Sequence, residues 1–312
     1  MAWVFAAGAL LLILLFAFFN SSRRKAMARG FSAMHARQRR NWPLAAKFYQ
    51  EGHEAAGKLK DPTRSQLESQ IEIQWASVLH RQGKMREAEE LIRRGISKAK
   101  GAALPEFQVA QGYVCWGDLC ADESRYLEAE DHYRKALEGD EKSGNLGGTV
   151  FDLQRLGDSL IHQERRAEAE EIINRAIALE SQVVHAQLAS EGKNPAEHAV
   201  ISMSLPDLHF CREQYEDARR LYREKVNFWE KQVTHPDNID VGRLQMRLAL
   251  SEARTGHAEE AIEMYTRAEA TFAREWGERH PKAALAREAK AKLLSSRSLA
   301  SLSHTLAADP RP

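Results

Sequence analysis

The tripeptide Glu-Ala-Glu stands at residues 87–89, 128–130 and 168–170, so its alanines recur at intervals of 41 and 40 residues. A return at a near-constant interval of this size marks a chain that uses one supersecondary unit several times. Taking each alanine as an anchor extends the register. Twelve residues before Ala88, Ala129 and Ala169 lie Ala76, Gly117 and Gly157, each preceded by a large apolar residue: Trp75, Trp116 and Leu156. Four residues after the anchors lie Ile92, Tyr133 and Ile173, and seven after lie the small residues Gly95, Ala136 and Ala176. Ala261 repeats the pattern with Leu248, Ala249, Tyr265 and Ala268. Ala218 follows it with Leu205, Pro206 and Tyr222 but then meets Lys225, and Ala45 gives a weaker first copy with Tyr49 and Gly52. The six anchors are separated by 43, 41, 40, 49 and 43 residues.

Small residues let two helices approach closely, and large apolar ones fill the groove around the contact. Each unit therefore reads as an antiparallel helix pair. Helix A carries the large–small step, helix B carries the anchor, and a turn such as Gln82-Gly83-Lys84 or Thr255-Gly256-His257 joins them. One pair cannot bury its own apolar face, so neighbouring pairs must stack. The expected fold is all-α.

Over roughly residues 27–299 this pattern of large, small, Ala, aromatic and small residues resembles the tetratricopeptide repeat. The spacing of about 42 exceeds that repeat's usual 34 and is more similar to the long repeats of kinesin light chains. Glu230–Pro236 and Trp276–Pro281 resemble the inter-repeat segments of that group. The resemblance implies a right-handed superhelical solenoid of about six antiparallel helix pairs, with helix A residues lining a concave groove that binds protein or peptide. Two departures stand out. The tyrosine expected three residues after the small helix A residue is replaced by Leu79, Cys120 and Leu160, and Pro206 occupies a small-residue position, where a kink or a degenerate repeat is expected.

Residues 2–19, AWVFAAGALLLILLFAFF, hold no charged or polar side chain, and eleven of them are Leu, Ile, Val or Phe. Eighteen helical residues span about 27 Å, enough for the hydrocarbon core. Residues 1–20 thus read as a retained transmembrane signal-anchor. A cleaved signal peptide is the rival, but it would want a basic start and an A-x-A-like exit. The basic segment 21–41 follows. Between residues 20 and 50 lie eight Lys or Arg, among them Arg23, Arg24, Lys25 and Arg29, and no Asp or Glu precedes Glu51. The positive-inside rule places this flank, and the bulk of the chain, on the cytoplasmic side of a single-pass membrane protein. The same cluster can serve topology alone or also meet anionic headgroups.

Asp61-Pro62 and Asn194-Pro195 read as helix starts. Residues 166–191 contain few breakers, so one long helix B accounts for the 49-residue step, and residues 281–294 read as a closing helix. Residues 300–312 end a Ser-rich stretch that reads as a mostly disordered tail. The overall net charge of +1 and the lack of a recognition motif argue against a nucleic-acid partner. Three cysteines, Cys115, Cys120 and Cys211, form no close pair and read as small buried hydrophobes.

The sequence holds no phosphate-binding Gly-rich loop, CxxC, HExxH or nucleophile elbow, so neither an enzyme nor a cofactor or small-molecule site is expected. Of twelve histidines, none forms a helical i, i+4 pair with a carboxylate in support, and His280 reads as structural. Function is then expected on a surface. The residue after the small helix A position is Asp118, Asp158 and Asp207 in three successive units. If the helices align, these carboxylates form a ladder suited to a Lys- or Arg-containing peptide; otherwise each makes a local hydrogen bond or faces water. Gln70, Gln74, Gln111 and Gln154 share those faces and can hydrogen-bond a peptide backbone. The Lys and Asn residues that hold a C-terminal carboxylate in some tetratricopeptide domains are absent, with Ile73, Ser77, Val114 and Asp118 at the matching positions. Two readings follow: a membrane-anchored adaptor with a protein partner in its groove, or a structural subunit packed permanently into a membrane complex.

Overall fold

The computed structural model describes residues 22–190, 204–232 and 239–307. The membrane segment at residues 2–19, the Asn194-Pro195 helix start and residues 233–236 of the first inter-repeat segment lie outside the described residues. Among the described residues there are thirteen helices and no strand. In chain order they are α1 (Ser22–Gln38), α2 (Trp42–Ala56), α3 (Thr63–Arg81), α4 (Met85–Gly101), α5 (Glu106–Asp122), α6 (Tyr126–Ser143), α7 (Leu146–His162), α8 (Arg166–Ser190), α9 (Leu205–Cys211), α10 (Tyr215–Gln232), α11 (Ile239–Arg254) and α12 (Ala258–Trp276), with α1 packed on α2, α3 on α4, α7 on α8, α9 on α10 and α11 on α12. A final helix, α13 (Pro281–Ala307), packs on α12. None of the described helices is long and apolar enough to cross a membrane.

Contacts divide the chain into two compact units, one running to Leu119 and one starting at Cys120, so the division falls inside α5. In the first unit α1, α2, α3 and α4 pack in chain order, around a core that includes Tyr49, Ala45, Ile71 and Val78. In the second, α6 through α13 do the same.

The anchors explain why the elements meet. Ala45, Ala88, Ala129, Ala169, Ala218 and Ala261 have no exposed surface. Tyr49, Ile92, Tyr133, Ile173, Tyr222 and Tyr265, one turn later, are all buried. The small residues of both helices are held equally tightly: a methyl group added at Gly157 of helix A would lie 2.7 Å from Ile173 Cγ1, and one at Gly95 of helix B would lie 2.8 Å from Ile73 Cγ1. Leu79, Cys120 and Leu160 fill the expected tyrosine position as buried apolar side chains.

The turns carry the period in the backbone itself. Five residues before each anchor, Arg40, Gly83, Ser124, Glu164, Glu213 and Gly256 all have positive φ, between 54° and 85°. Only two are glycine, so this signal is visible in sequence at two turns of six. Helix B then starts with a basic residue paired to the glutamate three positions on: Lys84 with Glu87 at 3.7 Å, Arg125 with Glu128 at 2.8 Å, and Arg165 with Glu168 at 2.6 Å. The first glutamate of each Glu-Ala-Glu thus sits in a first turn, where negative charge is favoured.

Three expectations meet particular outcomes. The long helix B is α8, with 25 residues. Pro206 stands in the first turn of α9, where its missing amide removes no helical bond, so there is no interior kink. The cost appears instead as length, since α9 has 7 residues where the other A helices have 16 to 19. The closing helix α13 continues past residue 294 to Ala307, entering the stretch read as a tail. Its Ala and Leu residues favour helix, and no Gly or Pro intervenes before Pro310. His280 is buried, packs against Trp276 with ring centroids 4.4 Å apart, and accepts from the Lys282 amide through Nδ1 at 3.2 Å, which is a structural role at the start of α13.

The tight A–B contact makes a direct prediction. Gly157→Leu drives a side chain into Ile173 and is expected to lower unfolding stability by about 1–3 kcal/mol in a denaturant titration. An unchanged midpoint would contradict the register.

Candidate functional site

The expected groove positions lie on A helices in both units. In the first unit Gln70 on α3 and Gln111 on α5 are exposed, while Gln74 and Asp118 are half-buried. Gln74 Oε1 accepts from Arg37 of α1. Burial and the nearby Asp118 push the Cys115 thiol up to about 12, so it stays protonated. Of the basic cluster, Arg23 and Lys25 are exposed, whereas Arg29 turns toward α2 and pairs with Glu51 at 2.8 Å.

In the second unit side chains from distant repeats converge on the A helices. Gln154 of α7 donates to Glu180 Oε1 at 2.5 Å, and Ser204 donates to the same oxygen at 2.7 Å. Gln154 is thus spent within the fold. Asp158 of α7 is brought to a cation, Arg247 of α11, whereas Asp207 of α9 is taken by a hydroxyl from α10. Arg247 donates to the Asp158 carboxylate and, at 3.3 Å, to the Asp158 carbonyl oxygen, and its guanidinium carbon lies 6.0 Å from the Phe210 ring centroid. Tyr222 of α10 donates its hydroxyl to Asp207. Arg247 is only 7% exposed, while the Asp158 side chain keeps 43% of its surface open.

Two further cations extend the arrangement. Arg243, one turn before Arg247, grips the buried Asp122 carboxylate, with Nε 3.2 Å from Oδ1. Lys282 of α13 donates to the Tyr126 hydroxyl at 3.1 Å, with its ammonium 5.1 Å from that ring's centroid. Tyr126 stacks on His162 with centroids 4.3 Å apart, and His162 Nε2 lies 3.9 Å from Asp158, one helical turn away. That pair corrects the expectation that no histidine stands at i, i+4 to a supporting carboxylate.

The electrostatics follow from these partners. Burial raises the Asp158 carboxyl, but the charges of Arg247 and Lys282 outweigh it and hold the group well below the usual carboxylate range. Burial pushes Asp207 the other way, above its ordinary value, and Lys225 and Arg247 offset only part of that rise. His162 is held well below its usual pKa by burial and by the Arg247 and Lys282 charges, against the pull of Asp158. The result is a seat for a guanidinium, built from a carboxylate, a carbonyl oxygen and an aromatic face. Among the described residues no group of three or more His, Cys, Asp and Glu is arranged to hold a metal ion.

The expected ladder is therefore broken up: Asp158 holds Arg247, Asp207 accepts from Tyr222, and Asp118 belongs to the other unit. The partners that complete the seat, Arg247 and Phe210, together with Arg243 and Lys282 beside it, were not singled out, and Tyr222 was read only as the aromatic of its repeat. Arg247 lies 89 residues from Asp158, Arg243 121 from Asp122, and Lys282 156 from Tyr126. No local spacing signals such pairings.

Residues 108–180 match the family model described as the tetratricopeptide repeat. No match is found among curated proteins. Among solved structures the chain is similar in fold to the apo form of RapI, at 11% identity and a TM-score of 0.55, over 88% of this chain and 97% of that one. It is also similar to aspartyl phosphate phosphatase F from Bacillus subtilis, at 13% identity and a TM-score of 0.54, over 90% and 74% of the two chains. A third is the Rap conjugation gene regulator of the plasmid pLS20 in complex with the Phr* peptide, at 11% identity and a TM-score of 0.52, over 86% and 74%. At these identities the likeness establishes a shared helical repeat fold.

The shift at His162 makes stability depend on pH. An unfolded imidazole takes up its proton near pH 6.5, whereas folded His162 resists protonation. The unfolded state thus binds more protons below that pH, and stability falls as pH drops through about 6.5. His132, also lowered by burial, acts with the same sign. His162→Gln is expected to flatten part of the stability loss between about pH 7 and pH 5, above the carboxylate range. Denaturant midpoints across that window check it; an unaltered slope would contradict the neutral, buried assignment.

Proposed function

We propose that this chain is a non-catalytic scaffold of tetratricopeptide type that holds a protein or peptide partner on its A-helix face. Residues 2–19 tether it as a single membrane span, with the repeats on the cytoplasmic side. The observation that carries the reading is the guanidinium seat of the second unit. Arg247, held there by Asp158 and Phe210, supports a partner that presents arginine or lysine to the same carboxylate. The exposed Gln70 and Gln111 of the first unit offer amides to a partner's backbone. A fold shared with a Rap regulator solved with a peptide supports the class of ligand. The function needs no cofactor, small-molecule substrate or nucleic acid.

One observation favours a second reading. The seat is already filled by the chain's own arginine, so the face is satisfied without a partner, as in a permanently packed structural subunit. The exposed Phe107, Leu127, Phe151 and Phe228 would then make the contacts with the complex.

Crosslinked capture with the full-length protein in detergent separates the two. Emptying the seat with Arg247→Met is expected to raise capture of a basic partner by about tenfold, because the competing internal cation is gone. Adding Asp158→Asn is expected to abolish that gain. Capture unchanged by both would move the partner off this face and favour the structural subunit.

A further inference from the structure

Helix α1 has two opposed faces. Ala26, Ala33 and Ala36 are buried in the core shared with α2 and α3. The other side carries Met27, Phe31 and Met34, which are 45%, 67% and 50% exposed. Positions i, i+4 and i+7 fall on one stripe of a helix. A lone exposed hydrophobe is ordinary, but three in one stripe, turned away from the core, form a surface that the packing of the first unit leaves uncovered.

The charges around the stripe are all of one sign. At 100° per residue Arg23 and Arg24 flank its start and His35 adjoins its end. Arg29 is directed elsewhere, onto Glu51 and over the Phe48 ring at 5.3 Å, and Arg37 reaches Gln74. No Asp or Glu occurs between residues 20 and 50. A second copy laid on this stripe would oppose arginine to arginine with no carboxylate to relieve it. A nucleic acid would answer the arginines and leave the Phe31 side chain in water. An anionic bilayer answers both, because its phosphates lie directly above its hydrocarbon. The chain also leads there: only two residues separate the uncharged segment 2–19 from Ser22 of α1.

We propose that α1 lies on the surface of an anionic membrane, with Met27, Phe31 and Met34 entering the boundary between headgroups and acyl chains and the exposed Arg23 meeting lipid phosphates. The proposal rests on the membrane reading of residues 2–19 for the nearness of the bilayer, and it adds a second, separable contact. It would fix the orientation of the first repeats against the membrane, where an anchor alone would leave them to swivel.

The test uses the full chain in liposomes, with the photocrosslinker p-benzoylphenylalanine placed at position 31 or, as a control, at position 127. Leu127 is 73% exposed and belongs to the second unit. Liposomes of phosphatidylcholine alone are compared with liposomes that also contain phosphatidylglycerol, and adducts are read by mass spectrometry. Lipid adducts at position 31 are expected to exceed those at 127 by about tenfold and to rise with phosphatidylglycerol. Adducts no more frequent than at 127, adducts indifferent to phosphatidylglycerol, or adducts joining position 31 to residues 2–19 or to a second copy would overturn the proposal. Alkaline extraction of the same liposomes scores the anchor separately: a chain that resists extraction yet gives no lipid adduct at 31 keeps its anchor and loses this contact.

Discussion

The structure depends on close approach between helices at six alanines that have no exposed surface. A larger residue at any of them would push two axes apart and uncover the tyrosine or isoleucine one turn later. That contact sets the crossing of each pair, and the crossing sets the sharp turn behind it. The turn is so constrained that Arg40, Ser124, Glu164 and Glu213 accept positive φ, which costs a side-chain-bearing residue roughly 1–2 kcal/mol. A cost taken at the same place in four units shows how strongly the packing fixes the local backbone.

Charge is organised at two levels on this frame. Within neighbouring repeats, buried carboxylates meet cations from the adjoining helices. Glu72 of α3 faces Lys98 at 2.8 Å and Arg94 at 3.4 Å from α4, and His53 at 3.0 Å from α2. Glu130 of α6 takes Arg165 at 2.5 Å, and Glu252 of α11 takes Arg223 and Arg219 of α10. Buried ion pairs of this kind add less to net stability than apolar packing would, but removing one partner is costly, so they punish the wrong neighbour. Between non-adjacent repeats of the second unit, Arg243, Arg247 and Lys282 reach back to Asp122, Asp158 and Tyr126. A face that supplies its own basic side chain to its own acidic residues is satisfied without a partner, and under the proposed function a basic ligand would have to displace that side chain.

Much of the fold was legible because it is periodic. The alanine anchors, the large residue one turn after each, the long α8 and the alternation of A and B helices were all readable from residues at fixed offsets. Pro206 misled in one respect: its residue type announced a defect, but whether a proline sits inside a helix or at its start depends on where the helix begins, and no local signal marked Leu205. The turns were legible only at Gly83 and Gly256, since the other four adopt the same φ without the residue that advertises it. Of the candidate site, Asp158 and Asp207 stood out by position. The cation on Asp158 did not, because a contact across 89 residues is set by how repeats stack rather than by any spacing within one.

The seat around Arg247 is the claim on which the functional account turns, and a double-mutant cycle tests it most directly. Stability is measured for the parent, Arg247→Met, Asp158→Asn and the double variant. Since Arg247 is buried while Asp158 is partly open to water, the account predicts an interaction energy of about 1–2 kcal/mol, between that of a surface pair and that of a fully buried one. Effects that simply add, to within about 0.5 kcal/mol, would contradict it.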